Sequence, residues 1–306
     1  MFDTIEKVQS AMEGAKYITD RPTATVLYLS LKLEKPILVE GEAGVGKTEI
    51  AKVLAQILDT RLIRLQCYEG LDVNTSLYEW NYPRQILWMK QAEICELPQD
   101  KVGKGIFSQD FLIRRPLLEA IQNESAKPPV LLIDEIDRSD EEFEAFLLEV
   151  LSDFQVTIPE MGTLKAKHRP HVILTSNRTR ELHDALKRRC LYHWIDYPSL
   201  EKEKRILLAK VPGVGENLVR QVCLFMQQVR EKDFYKRPGI SETLDWVMAL
   251  MALGKVELDA ATVKETLGCV FKYYEDLKQV EEMGVENLLN HLPLREDLIC
   301  TQIPRA

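Results

Sequence analysis

Residues Leu38 to Ala55 read LVEGEAGVGKTEIAKVLA, an apolar run that breaks into three glycines and a lysine and then resumes with helical spacing. Few folds accept so bare a loop between a strand and a helix. Gly41 to Thr48 match the pattern G-x-x-x-x-G-K-[ST], in the strand-then-helix context that a phosphate-binding loop requires. Without Cβ atoms, Gly41, Gly44 and Gly46 can take positive φ, so the N–H groups of Glu42, Ala43, Val45 and their neighbours converge on an anion. The helix N-terminus that follows adds partial positive charge. Lys47 is placed to reach the β- and γ-phosphates of ATP, and Thr48 to ligate Mg²⁺.

A second element lies downstream in PPVLLIDEIDRS, residues 128–139. Its apolar run predicts a buried strand whose carboxyl end delivers Asp134 and Glu135 to the edge where ligands collect in open α/β sheets. Adjacent carboxylates allow a division of labour. Asp134 can hold the Mg²⁺ shell through water, while Glu135 can polarise a water for attack on the γ-phosphate. Ser139 and Glu142 have the spacing of a capping box for the helix that follows.

Short apolar runs at 36–40, 62–66, 130–133, 172–176 and 192–195 alternate with helical segments, the pattern of a five-stranded parallel sheet covered by helices. Beyond Pro198 the chain reads as helices alone. The expectation is a three-layer αβα domain over residues 1–198, including N-terminal helices, then a smaller all-α domain and tail over 199–306. At 306 residues and 45% hydrophobic composition, there is enough apolar material for two cores. No apolar stretch approaches the roughly 20 residues of a membrane span, and the acidic, amphipathic N-terminus differs from signal and transit peptides, which implies a cytoplasmic address. The six cysteines are scattered without C-x-x-C, as in a chain of reduced thiols. A net charge of −8 argues against a protein whose main task is gripping nucleic acid.

With both phosphate elements in place, residues 36–198 resemble the ATPase domain of the AAA+ superfamily, and within it the MoxR branch. The runs LLIDEIDRSDEEFEAFLLEVLSDFQVTIPE and HVILTSNRTRELHDALKRRCLYHWIDYP are similar in particular to the CoxD-like MoxR ATPases encoded beside carbon monoxide dehydrogenase and related molybdenum hydroxylases. The resemblance implies a ring, commonly a hexamer, that hydrolyses ATP to remodel or mature a protein partner. A von Willebrand factor A domain protein and a metalloenzyme are the implied partners, with metal-cofactor insertion as one form of the work.

The resemblance also assigns roles. Asn177, ending HVILTSN, fits sensor 1, a neutral amide that can align the attacking water. Arg188 and Arg189 match the region of the arginine finger, either of which could reach a neighbouring subunit's γ-phosphate. The sensor 2 pattern G-x-S-x-R is interrupted: Gly239-Ile240-Ser241-Glu242-Thr243 has threonine where the arginine belongs, and Lys236 or Arg237 could substitute. Tyr68, Tyr78, Trp80 and Tyr82 could line a channel or plug the subunit's own core. A hairpin is expected around Pro159 to Gly162, carrying Lys165, Lys167, His168 and Arg169. A nucleic-acid motor and a nucleotide-dependent scaffold with little turnover are the alternative functions.

Overall fold

The computed structural model describes residues 2–95 and 105–290. The tail expected over 292–306, with Cys300, lies outside the described residues. The chain divides into two units: Met1–Gly41 with Lys47–Ile195, and Glu42–Gly46 with Asp196–Ala306.

In the first unit, two helices, α1 (Ile5–Gly14) and α2 (Arg21–Leu33), precede β1 (Ile37–Gly41). Then follow α3 (Lys47–Ile57), β2 (Leu62–Gln66), α4 (Val73–Ser76), β3 (Tyr78–Trp80), α5 (Tyr82–Ile94), β4 (Leu112–Arg114) and α6 (Pro116–Ile121). The unit is completed by β5 (Val130–Asp134), α7 (Glu141–Asp153), β6 (Gln155–Ile158), β7 (Gly162–Lys165), β8 (His171–Ser176), α8 (Asp184–Arg189) and β9 (Leu191–Ile195). Five strands form one sheet in the order β2-β5-β8-β1-β9, all parallel. Every residue of β1 and β5 is buried, as expected of central strands covered by helices on both faces. This order sets β8 between the strand that enters the glycine loop and the strand that ends in the carboxylates.

Two small antiparallel pairs stand apart from the main sheet. β6 and β7 form the expected hairpin, with Gly162 at φ 81° where β7 leaves the turn. β3 and β4 pair on either side of α5, and here the aromatics divide. Trp80 is buried, edge-on to Tyr78 and Phe107, whereas Tyr68 and Tyr82 are exposed.

One local expectation is corrected. Ser139 does not cap the helix after β5; Asp140 does, its carboxylate accepting from Phe143 N at 2.8 Å. The Ser139 hydroxyl is already committed to the Ile136 carbonyl at 2.8 Å, closing the 3₁₀ turn Ile136–Arg138. That turn delays the helix by one residue, and the aspartate then occupies the cap.

The second unit is helical: α9 (Leu200–Lys210), α10 (Glu216–Arg230), α11 (Ile240–Ala252), α12 (Ala260–Val270), α13 (Tyr274–Met283) and α14 (Val285–Asn290). Trp246 is fully buried at its centre, against Phe225 at 5.1 Å, with its indole N–H donating to Thr266 Oγ1 at 2.8 Å. Among the described residues, no helix is long and apolar enough to cross a membrane.

Candidate nucleotide site

The glycine loop runs between the last residue of β1 and the first of α3. Gly44 and Gly46 take φ of 75° and 94°, the left-handed region that only glycine enters without cost. Lys47 is buried and donates from Nζ to the Gly41 carbonyl at 2.8 Å, so its ammonium is folded over the loop. Residues 42–46 belong with the helical unit, and the contact there is backbone against backbone. The Gly44 carbonyl accepts from Ile240 N at 3.0 Å and Ser241 N at 3.2 Å, the first amides of α11. A Cβ on Gly239 would lie 2.7 Å from the Ala43 carbonyl oxygen, so a larger residue could not make this approach.

At the end of β5, Asp134 is 2% exposed and bears three kinds of donor. Its Oδ1 accepts from Thr175 Oγ1 at 2.6 Å and Thr48 Oγ1 at 2.9 Å, and its Oδ2 from Arg64 Nε at 3.0 Å. Thr175 also accepts from Glu135 N at 2.9 Å. Thr48, Asp134, Thr175 and Glu135 are thereby joined across α3, β5 and β8. Magnesium favours one or two protein oxygens completed by water and phosphate. The Thr48 hydroxyl and Asp134 Oδ1, side by side with no sulfur or nitrogen ligand between them, fit that requirement.

Glu135 sits at φ 56°, a left-handed conformation that costs a non-glycine residue on the order of 1–3 kcal/mol and persists only where its surroundings enforce it. Its Oε2 is held by Arg138 Nε at 3.0 Å and Gln66 Nε2 at 3.1 Å. The acidic field is felt nearby: burial first, then Asp134, Asp137 and Glu135, push the Cys67 thiol up to about 12, so it stays protonated.

Asn177 follows the last residue of β8. Its backbone N–H donates to Asp137 Oδ1 at 3.2 Å, while its side chain makes no hydrogen bond to any described residue. The arginine pair separates. Arg189 is tied down, with Nε donating to Ser152 Oγ at 2.6 Å and Nη1 to the Ala185 carbonyl at 3.1 Å. Arg188 is exposed and makes no hydrogen bond or ion pair among the described residues.

Thr243, at the place of the missing sensor 2 arginine, is fully buried. Its hydroxyl lies 2.7 Å from Glu203 Oε1 and accepts from Arg230 Nη2 at 3.1 Å. Arg230 in turn grips Glu203 in a two-pronged pair at 2.7 and 2.8 Å, and its Nε donates to the Pro238 carbonyl at 2.8 Å. The candidates Lys236 and Arg237 are exposed, and with Lys272, Ala43 and Gly239 they line a cavity of about 290 Å³.

Sequence reading missed Arg64, Gln66, Thr175, Asp137 and Glu40. A signal existed for the first two: in the alternating strand LIRLQ, polar Arg64 and Gln66 share one face at the carboxyl end of a parallel strand, where ligands gather.

The chain is similar to several known proteins. An uncharacterised protein of Staphylococcus aureus strain USA300 is 26% identical over 228 residues, 72% of this chain and 77% of that protein. Another from Staphylococcus epidermidis is 26% identical over 270 residues, 86% of this chain and 91% of that protein. Among solved structures, the Holliday junction branch migration motor RuvB of Thermotoga maritima matches with a TM-score of 0.46 at 16% identity, over 81% of this chain and 67% of that one. Residues 37–195, spanning all five strands of the main sheet, match the model of the ATPase family associated with various cellular activities. The chain belongs to that AAA ATPase family.

Proposed function

We propose that this chain binds Mg-ATP at residues 41–48 and hydrolyses it within a ring of identical subunits, the six-membered ring that the MoxR resemblance implies, to remodel or mature a protein partner. The observation that carries the reading is the linked set Thr48–Asp134–Thr175–Glu135, which gathers oxygen donors and a second carboxylate at the carboxyl ends of adjacent strands.

In this reading the loop amides and Lys47 hold the phosphates. Thr48 and Asp134 hold Mg²⁺, which supplies charge neutralisation on the β- and γ-phosphoryl oxygens. Glu135 accepts the proton of the attacking water once its oxygen is released from Arg138 and Gln66. Asn177 orients that water with an amide that no described residue engages. Arg188 rather than Arg189 serves as the finger, because of the two its guanidinium alone is uncommitted among the described residues.

The MoxR resemblance extends the proposal to a von Willebrand factor A domain partner and a metalloenzyme client, with insertion or activation of a metal cofactor as the work done. The net charge of −8 disfavours the nucleic-acid alternative.

Titrating Mg-ATP into the wild type and the Glu135→Gln variant tests the site. Both should release heat on binding, while the variant should hydrolyse ATP roughly 100-fold more slowly. Absence of heat from folded protein overturns the site as a whole; normal turnover by the variant overturns only the assignment of the base. Proteins retained by the ATP-trapped variant then identify the client.

A further inference from the structure

Two buried carboxylates outside the proposed chemistry converge on the turn that carries Asn177. Asp137, 3% exposed in the 3₁₀ turn after β5, pairs with no cation among the described residues. It accepts instead from Asn177 N at 3.2 Å, Thr179 N at 2.9 Å and Thr179 Oγ1 at 2.7 Å. Glu40, 5% exposed at the end of β1, approaches the same turn from the opposite side of β8. Its Oε1 accepts from Ser176 Oγ at 3.3 Å, its Oε2 from Tyr192 Oη at 3.0 Å, and Arg178 Nε stands 3.8 Å from Oε2. Ser176 Oγ also accepts from Arg178 N at 3.0 Å. Arg178 is held at φ 55°, its guanidinium over the Trp194 ring at 5.6 Å.

Residues 176, 178 and 179 are thus fastened by side chains, and Asn177 by its backbone alone. Its amide is the one polar side chain of the turn with neither a hydrogen bond nor an ion pair to a described residue. A buried carboxylate must be offset by donors, and here they come from a single turn, with Tyr192 of β9 adding one to Glu40. The cost makes physical sense where a short polar side chain must be held to a fraction of an ångström.

We infer that Asp137 and Glu40 are positioning residues that clamp the 176–179 turn from the Asp134/Glu135 strand and from the glycine-loop strand, and so fix the Asn177 amide between the two. The clamp couples the strand that enters the phosphate loop to the turn that follows the acidic pair. It acts only through Asn177, and it rests on the proposed role of that residue.

A double-mutant cycle tests it, with ATP turnover and binding of a non-hydrolysable ATP analogue measured on full-length protein. Asp137→Asn should lower kcat by roughly 10- to 100-fold, with analogue affinity changed by less than about threefold. Placed on an Asn177→Ala background, it should cost nothing further, because the amide it positions is gone. Glu40→Gln should behave in the same way with a smaller loss. Losses that multiply in the double variant, or a full rate in Asp137→Asn, overturn the clamp while leaving Asn177 in place. A full rate in Asn177→Ala overturns the role of Asn177 and the clamp with it. Should Asp137→Asn fail to fold, Thr179→Val removes one hydroxyl donor from the same carboxylate and reads the same coupling: a loss absent from the Asn177→Ala background supports the clamp, and a multiplying loss overturns it.

Discussion

Asp137 in the first unit and Glu203 in the second are both almost wholly inaccessible to water, and they are used in opposite ways. Glu203 closes a circuit. Both of its oxygens are taken by Arg230, with Gln227 Nε2 at 2.8 Å and the Thr243 hydroxyl completing the shell. Nothing in that cluster points outward. Asp137 spends its hydrogen bonds on backbone N–H groups and one hydroxyl, and leaves beside them an amide that no described residue engages. A polar cluster whose capacity is fully satisfied holds a fold together; one that fastens every neighbour of a free group presents that group.

The largest effect should come from opening the closed circuit. Arg230→Ala leaves Glu203 buried without its cation, a loss on the order of 3–5 kcal/mol in stability. Thermal or denaturant unfolding should register it, while turnover per folded molecule stays near that of the wild type. A variant that unfolds normally yet no longer hydrolyses ATP would break the contrast, because Arg230 would then be acting on nucleotide.

The same contrast recurs within one helix turn. Arg189 is committed to Ser152 and Ala185, and Arg188 to no described residue. Arg188→Ala should slow hydrolysis roughly 100-fold, equivalent to about 2.7 kcal/mol, with ATP affinity nearly intact. Arg189→Ala should instead cost about 1–2 kcal/mol of stability through its two lost hydrogen bonds. Mixing Arg188→Ala subunits with Glu135→Gln subunits should restore turnover if the arginine acts across an interface. No recovery at any ratio would sink that assignment.

How far these features could be read beforehand follows from the distance along the chain at which they are decided. The glycine loop, the acidic strand end and the five parallel strands are written in contiguous residues, where period and composition are visible. The cap of α7 turned on a single residue, because Ser139 and Asp140 are both competent and only the 3₁₀ turn before them decides between the two. Trp80 is buried by Phe107, 27 positions on. Asp137 meets Thr179 across 42 positions, and Thr243 meets Glu203 across 40. No local pattern signals such pairings. From sequence, Thr243 registers only as an arginine that is absent, and the arginine that serves it is 13 residues away in α10.

One further expected effect bears on that same position. Thr243→Val preserves shape and removes the hydroxyl, so Glu203 Oε1 loses one donor and Arg230 Nη2 one acceptor, while the two-pronged ion pair survives. The cost should be about 1–3 kcal/mol of stability, the penalty for buried groups left short of one partner. Hydrolysis should be unchanged, because nothing about Thr243 is turned toward a ligand. Thr243→Arg sharpens the point: a guanidinium entering a site already occupied by Arg230 brings a second cation against one carboxylate and destabilises the unit more than valine does, without quickening turnover. If the arginine variant were instead stable and hydrolysed ATP faster, the buried cluster would be a displaced sensor rather than a structural tie, and the division between the two carboxylates would have to be redrawn.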